Sequence, residues 1–141
     1  MADVREVVTA GIEAFNAHDR EGMGARQASD IVFEAPGDVR LEGSDAVTEY
    51  AMMWLRAFPD GKLTIQNQVI AGEWASMEFT FEGTHEETLV SPEGEIPATG
   101  RRVSARGAEF FRVVDGKIVE DHLYFDQAQV MAQLGLMPEP A

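Results

Sequence analysis

Apolar residues recur at helical spacing in the first part of the chain and alternate at strand spacing in the second. Val4, Val8, Ile12 and Phe15 fall on one stripe of a helix spanning Asp3 to Ala17, with Val7 and Gly11 beside it. Asp3 followed by Glu6 approximates a capping box at its start. A polar step at His18, Asp19 and Arg20 leads to a weaker helical turn from Glu21 to Ser29, interrupted by Gly22 and Gly24. Ile31, Val32 and Phe33 then make a brief strand that Pro36 and Gly37 stop. Ser44 and Asp45 open a third helix, in which Val47, Tyr50, Ala51, Trp54 and Phe58 recur at three- and four-residue steps until Pro59, Asp60 and Gly61 end it.

Strand-like alternation follows over Lys62 to Ala71, Trp74 to His85, Arg101 to Val114 and Lys117 to Phe125, with turn signals at Gly72-Glu73 and Asp115-Gly116. This pattern predicts an antiparallel meander. The acidic segment Glu86 to Gly100 carries Pro92 and Pro97 and has no sustained period, so it reads as a long loop beside a site. A last helix starts at Asp126, with Gln129 completing the cap, presents Val130, Met131 and Leu134, and stops at Gly135 and Leu136 in a Schellman-type end. Pro138 to Ala141 reads as a frayed tail. Helices first and strands later predict one α+β domain over residues 1–141, with helices gathered on one face of a curved antiparallel sheet.

A chain of 141 residues has room for one core. With 45% hydrophobic and 26% charged residues it has a globular composition and no apolar run long enough for a membrane span. The 25 acidic residues against 11 basic ones give a formal charge of -14, which repels phosphate backbones and anionic lipid surfaces. Nucleic acids and membranes are therefore poor partners. The absence of cysteine removes disulfides, thiolate nucleophiles and thiolate metal sites. The start MADVREVVTAG lacks a signal-peptide apolar region, which predicts a cytoplasmic protein.

The hairpin around Asp115 and Gly116 carries the candidate chemistry. A three-residue loop, Val114 to Gly116 before Lys117 with Gly116 in the left-handed bulge position, would set Glu109 opposite Asp121. Ala105, Gly107, Glu109, Phe111 and Val113 would then share the inner face with Val119, Asp121, Leu123 and Phe125. A two-residue loop would instead pair Glu109 with His122 and bring Glu120 and Tyr124 to its face. The first register is preferred because its inner face is the more hydrophobic. Two buried carboxylates in contact share a proton, one serving as acid and the other as base, which suits enolisation of a carbonyl compound. The bland alternative is an inward carboxylate salt-bridged to Arg101, Arg102 or Arg106, or one at a wet rim.

The same hairpin turns His122 outward with Phe110, Arg112 and Tyr124, an aromatic patch suited to homodimer formation through the outer sheet face. His85, at a strand end beside the long loop, is a candidate ligand contact whose bland reading is simple solvation. No zinc-type spacing relates His18, His85 and His122, and no glycine-rich phosphate loop is present, so neither a metal nor a nucleotide cofactor is expected. Asp126 is read as a helix cap. Trp54, Tyr50, Met52, Met53 and Phe58 are read as pocket wall and core.

Taken with the order of elements, the stretches AFNAHD, VFEAPG, AFPDGKL, FEGTH, IPATGRRVSARG, FFRVVDGKIVEDHLYFDQ and QLGLMP resemble the SnoaL-like polyketide cyclase family, from about Val4 to Pro138. That family belongs to the nuclear transport factor 2-like superfamily. The resemblance implies a cone-shaped curved sheet enclosing a pocket, and an intramolecular aldol closure assisted by an aspartate and a histidine without metal or cofactor. Aligned on FRVVDGKI, the family's histidine falls on Glu109 and its aspartate on Leu123, so both types are replaced here. A further family polar residue falls on Ala35, whereas Phe15 and Asn16 match the cavity-edge pair. Ketosteroid isomerase, a cousin, places a protonated carboxylic acid where Glu109 stands, but its base falls on Ala35 and its tyrosine on Gly11. Epoxide hydrolase-like members need an arginine and an aspartate two residues apart, which Arg106 and Glu109 do not provide.

Two readings of function follow. One is a cofactor-free enzyme acting on a small hydrophobic carbonyl compound, with Glu109 and Asp121 catalytic and Phe15, Asn16, Phe33, Trp54, Phe111, Leu123 and His85 contacting the ligand. The other is a non-catalytic module of the same fold that binds a hydrophobic ligand or a protein. A cavity reached by both carboxylates discriminates for the enzyme.

Overall fold

The computed structural model describes residues 3–91 and 94–137; the expected frayed tail and Pro92 of the expected loop lie outside the described residues. Its elements are α1 (Val4–Asn16), α2 (Arg20–Ala25), β1 (Gln27–Ala35), β2 (Val39–Glu42), α3 (Ser44–Ala57) and β3 (Lys62–Ala71). There follow β4 (Trp74–Thr84), β5 (Leu89–Ser91), β6 (Gly94–Ile96), β7 (Arg102–Val114), β8 (Lys117–Phe125) and α4 (Gln127–Gln133). Six strands form one curved sheet in the order β2-β1-β8-β7-β4-β3, and β5 with β6 forms a separate hairpin. The expected meander is present as β3-β4-β7-β8, and β1 joins it in parallel beside β8, so the sheet is mixed.

Three helix starts are capped: Asp3 accepts from the Glu6 amide at 2.8 Å and Asp126 from Gln129 at 3.1 Å, as their sequences predict, and Asp19 of the polar step accepts from Gly22 at 3.0 Å. Gly135 at φ 79° ends α4, and the Leu136 amide reaches back to the Met131 carbonyl at 2.9 Å, the six-to-one bond of a Schellman end. The helices lie over the sheet, α1 against β3, β4, β7 and β8, α3 against β1 and β2, and α4 against β7. Between them sits a core that includes Val8, Ile31, Phe58, Met77, Val103 and Leu134, each at most 2% exposed. Among the described residues no helix is long and apolar enough to cross a membrane.

Three expectations are corrected. The second helix is shorter than Glu21 to Ser29, because the chain turns to strand at Gln27 and runs to Ala35. A turn through Gly37 and Asp38, both at positive φ, folds β2 back onto β1, with Ala35 opposite Val39. Glu86 to Gly100 is not wholly a loop. Leu89, 2% exposed, anchors the β5–β6 hairpin against α3, and the Glu86 and Glu87 amides donate to the Ala57 carbonyl.

The β7–β8 hairpin follows neither expected register. Asp115 (φ 52°) and Gly116 (φ 76°) make a two-residue turn of the type whose central residues both have positive φ. Val114 then faces Lys117 and Val113 faces Ile118, but Arg112 faces Glu120, so Val119 is the extra residue of a β-bulge. Beyond the bulge, Phe111 lies opposite Asp121 and Glu109 opposite Leu123. Ile118, 5% exposed, takes the inner position expected of Val119, while Glu109 and Asp121 keep the inward orientation.

Candidate active site

The concave side of the sheet and the helices above it leave a cavity of about 140 Å³. Its wall is largely aromatic and aliphatic, and its polar groups come from Glu109 on β7, Asp121 on β8, Tyr50 and Trp54 on α3, and Arg26 and Gln27 at the α2–β1 junction. Trp54 sits at the centre of an edge-on cluster, its ring 6.0 Å from Phe81 and 5.6 Å from Phe125. Phe15, Phe33, Trp54, Phe111 and Leu123 all line the cavity.

Two expected ligand contacts lie elsewhere. Asn16 is committed to the backbone: its amide donates to the Leu63 carbonyl at 2.9 Å and accepts from the Leu63 amide at 2.8 Å, tying the end of α1 to β3. His85 is neither solvated nor in the cavity wall. Its ring is fully buried, stacked on Phe58 at 5.3 Å, and its Nδ1 accepts from the Thr99 amide at 3.2 Å at the base of the β5–β6 hairpin. Burial pushes its pKa down, and the Glu87 carbonyl opposes that shift.

Strand pairing explains how the carboxyl groups come to be buried. Glu109 is flanked by Met77 on β4 and Leu123 on β8; Asp121 is flanked by Phe111 on β7 and Phe33 on β1. Apolar partners on both sides leave them only 8% and 7% exposed. The bulge makes them diagonal rather than directly opposite neighbours, still within reach of long side chains. The arginines that might have paired with them are engaged or turned away. Arg101 Nε donates to the Gln133 carbonyl at 2.8 Å, Arg102 pairs with Glu82 at 2.7 Å, and Arg106 points outward and is exposed.

The two carboxyls are instead bonded to each other. Burial, then the Asp121 charge, then this bond raise the Glu109 pKa well above the ordinary carboxyl value. Burial also lifts Asp121 to about 6, and the bond from Glu109 and the charge of His122 hold it from rising further. Near neutrality the pair therefore shares one proton, with Glu109 donating to an Asp121 carboxylate. Glu109 occupies one Asp121 oxygen, and no other hydrogen bond to the Asp121 carboxylate is present among the described residues.

Tyr50, expected as pocket wall, does line the cavity, and its hydroxyl adds a polar group there that the sequence pattern did not signal. Its ring packs on Phe33 at 4.8 Å, and burial, together with the charges of Glu109 and Asp121, pushes the phenol up to about 12, so it stays protonated. The four-residue step to Trp54 puts both on one face of α3. Gln27 was missed; its Oε1 accepts from Ser44 and Thr48 at 3.0 and 3.2 Å. Among the described residues no group of three or more His, Asp or Glu side chains is arranged to hold a metal ion.

A curved sheet closed by helices over an apolar cavity, with acid groups on the central strands, is the ketosteroid isomerase-like or nuclear transport factor 2-like architecture. The profile of the SnoaL-like polyketide cyclase family matches residues 5–134, and the chain belongs to that family. AclR from Streptomyces galilaeus, proposed as a hydroxylase, is 27% identical with a TM-score of 0.82, covering 100% of this chain and 86% of its own. IdmH from Streptomyces antibioticus, proposed as a polyketide cyclase, is 26% identical with a TM-score of 0.79, covering 95% and 99%. A SnoaL-like protein from Jannaschia reaches a TM-score of 0.84 at 15% identity over 96% and 93% of the two chains, a likeness of fold. No curated protein matches the chain.

Proposed function

We propose that this protein is a cofactor-independent enzyme that moves a proton on a small hydrophobic carbonyl compound, in the manner of a cyclase or isomerase. The observation that carries this reading is the buried, mutually bonded pair Glu109–Asp121 lining an apolar cavity, with no further hydrogen bond to the Asp121 carboxylate among the described residues. Asp121 is the base, since its pKa of about 6 leaves it ionised near neutrality yet more basic than a solvated aspartate. Glu109 is the acid that holds the pair's one proton and prevents two adjacent negative charges. The aromatic wall selects flat, apolar substrates. Membership of the cyclase family supports the reading at the level of reaction type, while the substrate is a matter for experiment.

The test is deuterium exchange by NMR at the carbon next to the carbonyl of aromatic ketones, polyketide esters and ketosteroids. Exchange by the wild type that disappears in Asp121→Asn supports the enzyme. Tight binding without exchange by any ketone overturns it in favour of a ligand-binding module. A thermal-shift screen chooses the compounds, since a ligand at about a hundred times its dissociation constant stabilises by roughly 2.7 kcal/mol.

The second copy of this chain is the proposed partner. Phe110 (42% exposed) and Tyr124 (56%) pack edge-to-face on the outer sheet surface. Arg112, Glu73, Glu120, His122 and Glu34 around them carry both signs of charge, so the face is complementary to itself about a two-fold axis.

A further inference from the structure

The cavity contains a second polar side, facing away from the carboxylates' own strands, and it has no role in the acid–base pair. Tyr50 and Trp54 stand one helical turn apart on α3 and both line the cavity that Glu109 and Asp121 line. Trp54 Nε1 is buried without a hydrogen-bond partner at full bonding geometry, and its N–H is near enough to the Tyr50 oxygen to favour the phenolate and oppose part of the upward shift. The Tyr50 hydroxyl proton itself has no acceptor among the described residues. Its ring is held against Phe33, the residue paired with Asp121 across β1 and β8, so the ring is packed in place across the cavity from the base.

An enolising site needs a base at the C–H bond and a donor at the oxygen where charge develops. Glu109 is poorly placed to be that donor, because its proton is already held by Asp121. This leaves two unspent groups on opposite sides of one cavity: an acceptor, the Asp121 oxygen that Glu109 does not hold, and a donor, Tyr50 O–H. Resting on the acid–base reading above, we propose that Tyr50 is a catalytic residue that binds the substrate's carbonyl oxygen and stabilises the developing oxyanion, and that Trp54 is a positioning residue whose N–H orients and polarises the Tyr50 oxygen.

In the step this implies, the Asp121 oxygen that Glu109 does not hold takes a proton from the carbon next to the carbonyl. The C–H electron pair becomes the C=C bond of an enolate, and the carbonyl π pair moves onto oxygen, where the Tyr50 O–H donates. Asp121 later returns its proton, either to carbon in an isomerisation or to the new alkoxide after carbon–carbon bond formation. No oxidant, reductant or water is consumed. The recognition element follows too: the ligand carries a hydrogen-bond acceptor between α3 and the β7–β8 strands, with an acidic C–H on the strand side.

The probes are 2-acetonaphthone and 2-ethylnaphthalene, which share shape and differ in the carbonyl. Wild type should prefer the ketone, and Tyr50→Phe, which keeps the ring stacked on Phe33, should reduce that preference about tenfold, the worth of one buried hydrogen bond. Trp54→Phe should reduce it by less. A wild type that does not prefer the ketone, or a Tyr50→Phe variant that keeps the preference, overturns the assignment. The readout is separable from the acid–base reading, because ketone affinity in Asp121→Asn should survive while methyl deuterium exchange in that variant is lost. Absence of exchange in wild type would count against the acid–base reading and leave the ketone preference to decide the role of Tyr50 as donor.

Discussion

Glu120 and Asp121 are consecutive residues of β8, and their carboxyl groups are driven in opposite directions. Glu120 faces outward, where bonds from Arg112 at 3.2 Å and His122 at 3.3 Å hold its pKa below the ordinary value. Asp121 faces inward, where burial raises its pKa to about 6. The pleat alone separates them: one strand presents a charged, ion-paired surface to solvent and a proton-sharing pair to the cavity. The chemistry of this protein is thus set by which face a carboxyl occupies, and each prediction below tests that division.

The largest expected effect is on the inner face. Asp121→Asn removes the base and should lower ketone exchange by about 10²- to 10⁴-fold, the usual contribution of a positioned general base. Exchange measured at equal ketone saturation checks it, and loss within threefold of wild type would place the base elsewhere.

Next is the pH dependence of stability. A carboxyl whose folded pKa is raised stays protonated in the native state while the unfolded chain ionises. Stability is therefore lost as pH rises from the unfolded value toward the folded one, at about 1.4 kcal/mol per pH unit for each proton. For Asp121 that window runs from its ordinary 3.8 to about 6; for Glu109 it starts at 4.5 and continues well above. Urea unfolding of wild type should keep losing stability above about pH 6, whereas Glu109→Gln, which has no proton to hold, should level off there. Parallel curves would show that Glu109 is not buried as an acid.

These two predictions also mark how much was legible in the sequence. The inward faces of Glu109 and Asp121 were readable because alternation along β7 and β8 places apolar residues beside them. Their pairing was not. A three-residue loop and a two-residue loop with a bulge at Val119 preserve the same faces while shifting the partners by two, and alternation cannot distinguish them. β2, β5 and β6 escaped notice because each has four residues or fewer, too short to show a period. His85 and Asn16 were misplaced because a polar residue at an element end gives no sign whether backbone or ligand will satisfy it. Tyr50 was read as wall because a helical stripe records burial and is silent about where a hydroxyl points.

The outer face yields the third effect. Phe110→Glu puts a charge into the centre of the proposed dimer surface and should weaken self-association roughly thirtyfold or more, the loss typical of an interface anchor. Light scattering after size exclusion at micromolar concentration should show a dimer in wild type and a monomer in the variant, with ketone exchange unchanged. A monomeric wild type would remove the dimer while leaving the inner-face reading intact.

The smallest effect is expected beside the largest, at Glu120. Its side chain is 33% exposed, and the arginine it meets is also held by Glu73 at 3.1 Å, so Glu120→Gln leaves Arg112 with a partner. Exposed ion pairs are worth only about 0.2–1 kcal/mol and fade with salt. The loss should lie at the low end of that range at neutral pH and vanish in high salt. Its pH sign is opposite to that of its neighbour, because a depressed carboxyl contributes stability above its unfolded value of 4.5 that is lost as pH falls through the folded one. Unfolding of Glu120→Gln and wild type should therefore converge in acid, below the window in which Glu109→Gln departs from wild type. A Glu120→Gln curve that instead departs from wild type above pH 6 would mean that the outer and inner carboxylates titrate as one network, and the division between the two faces would fail.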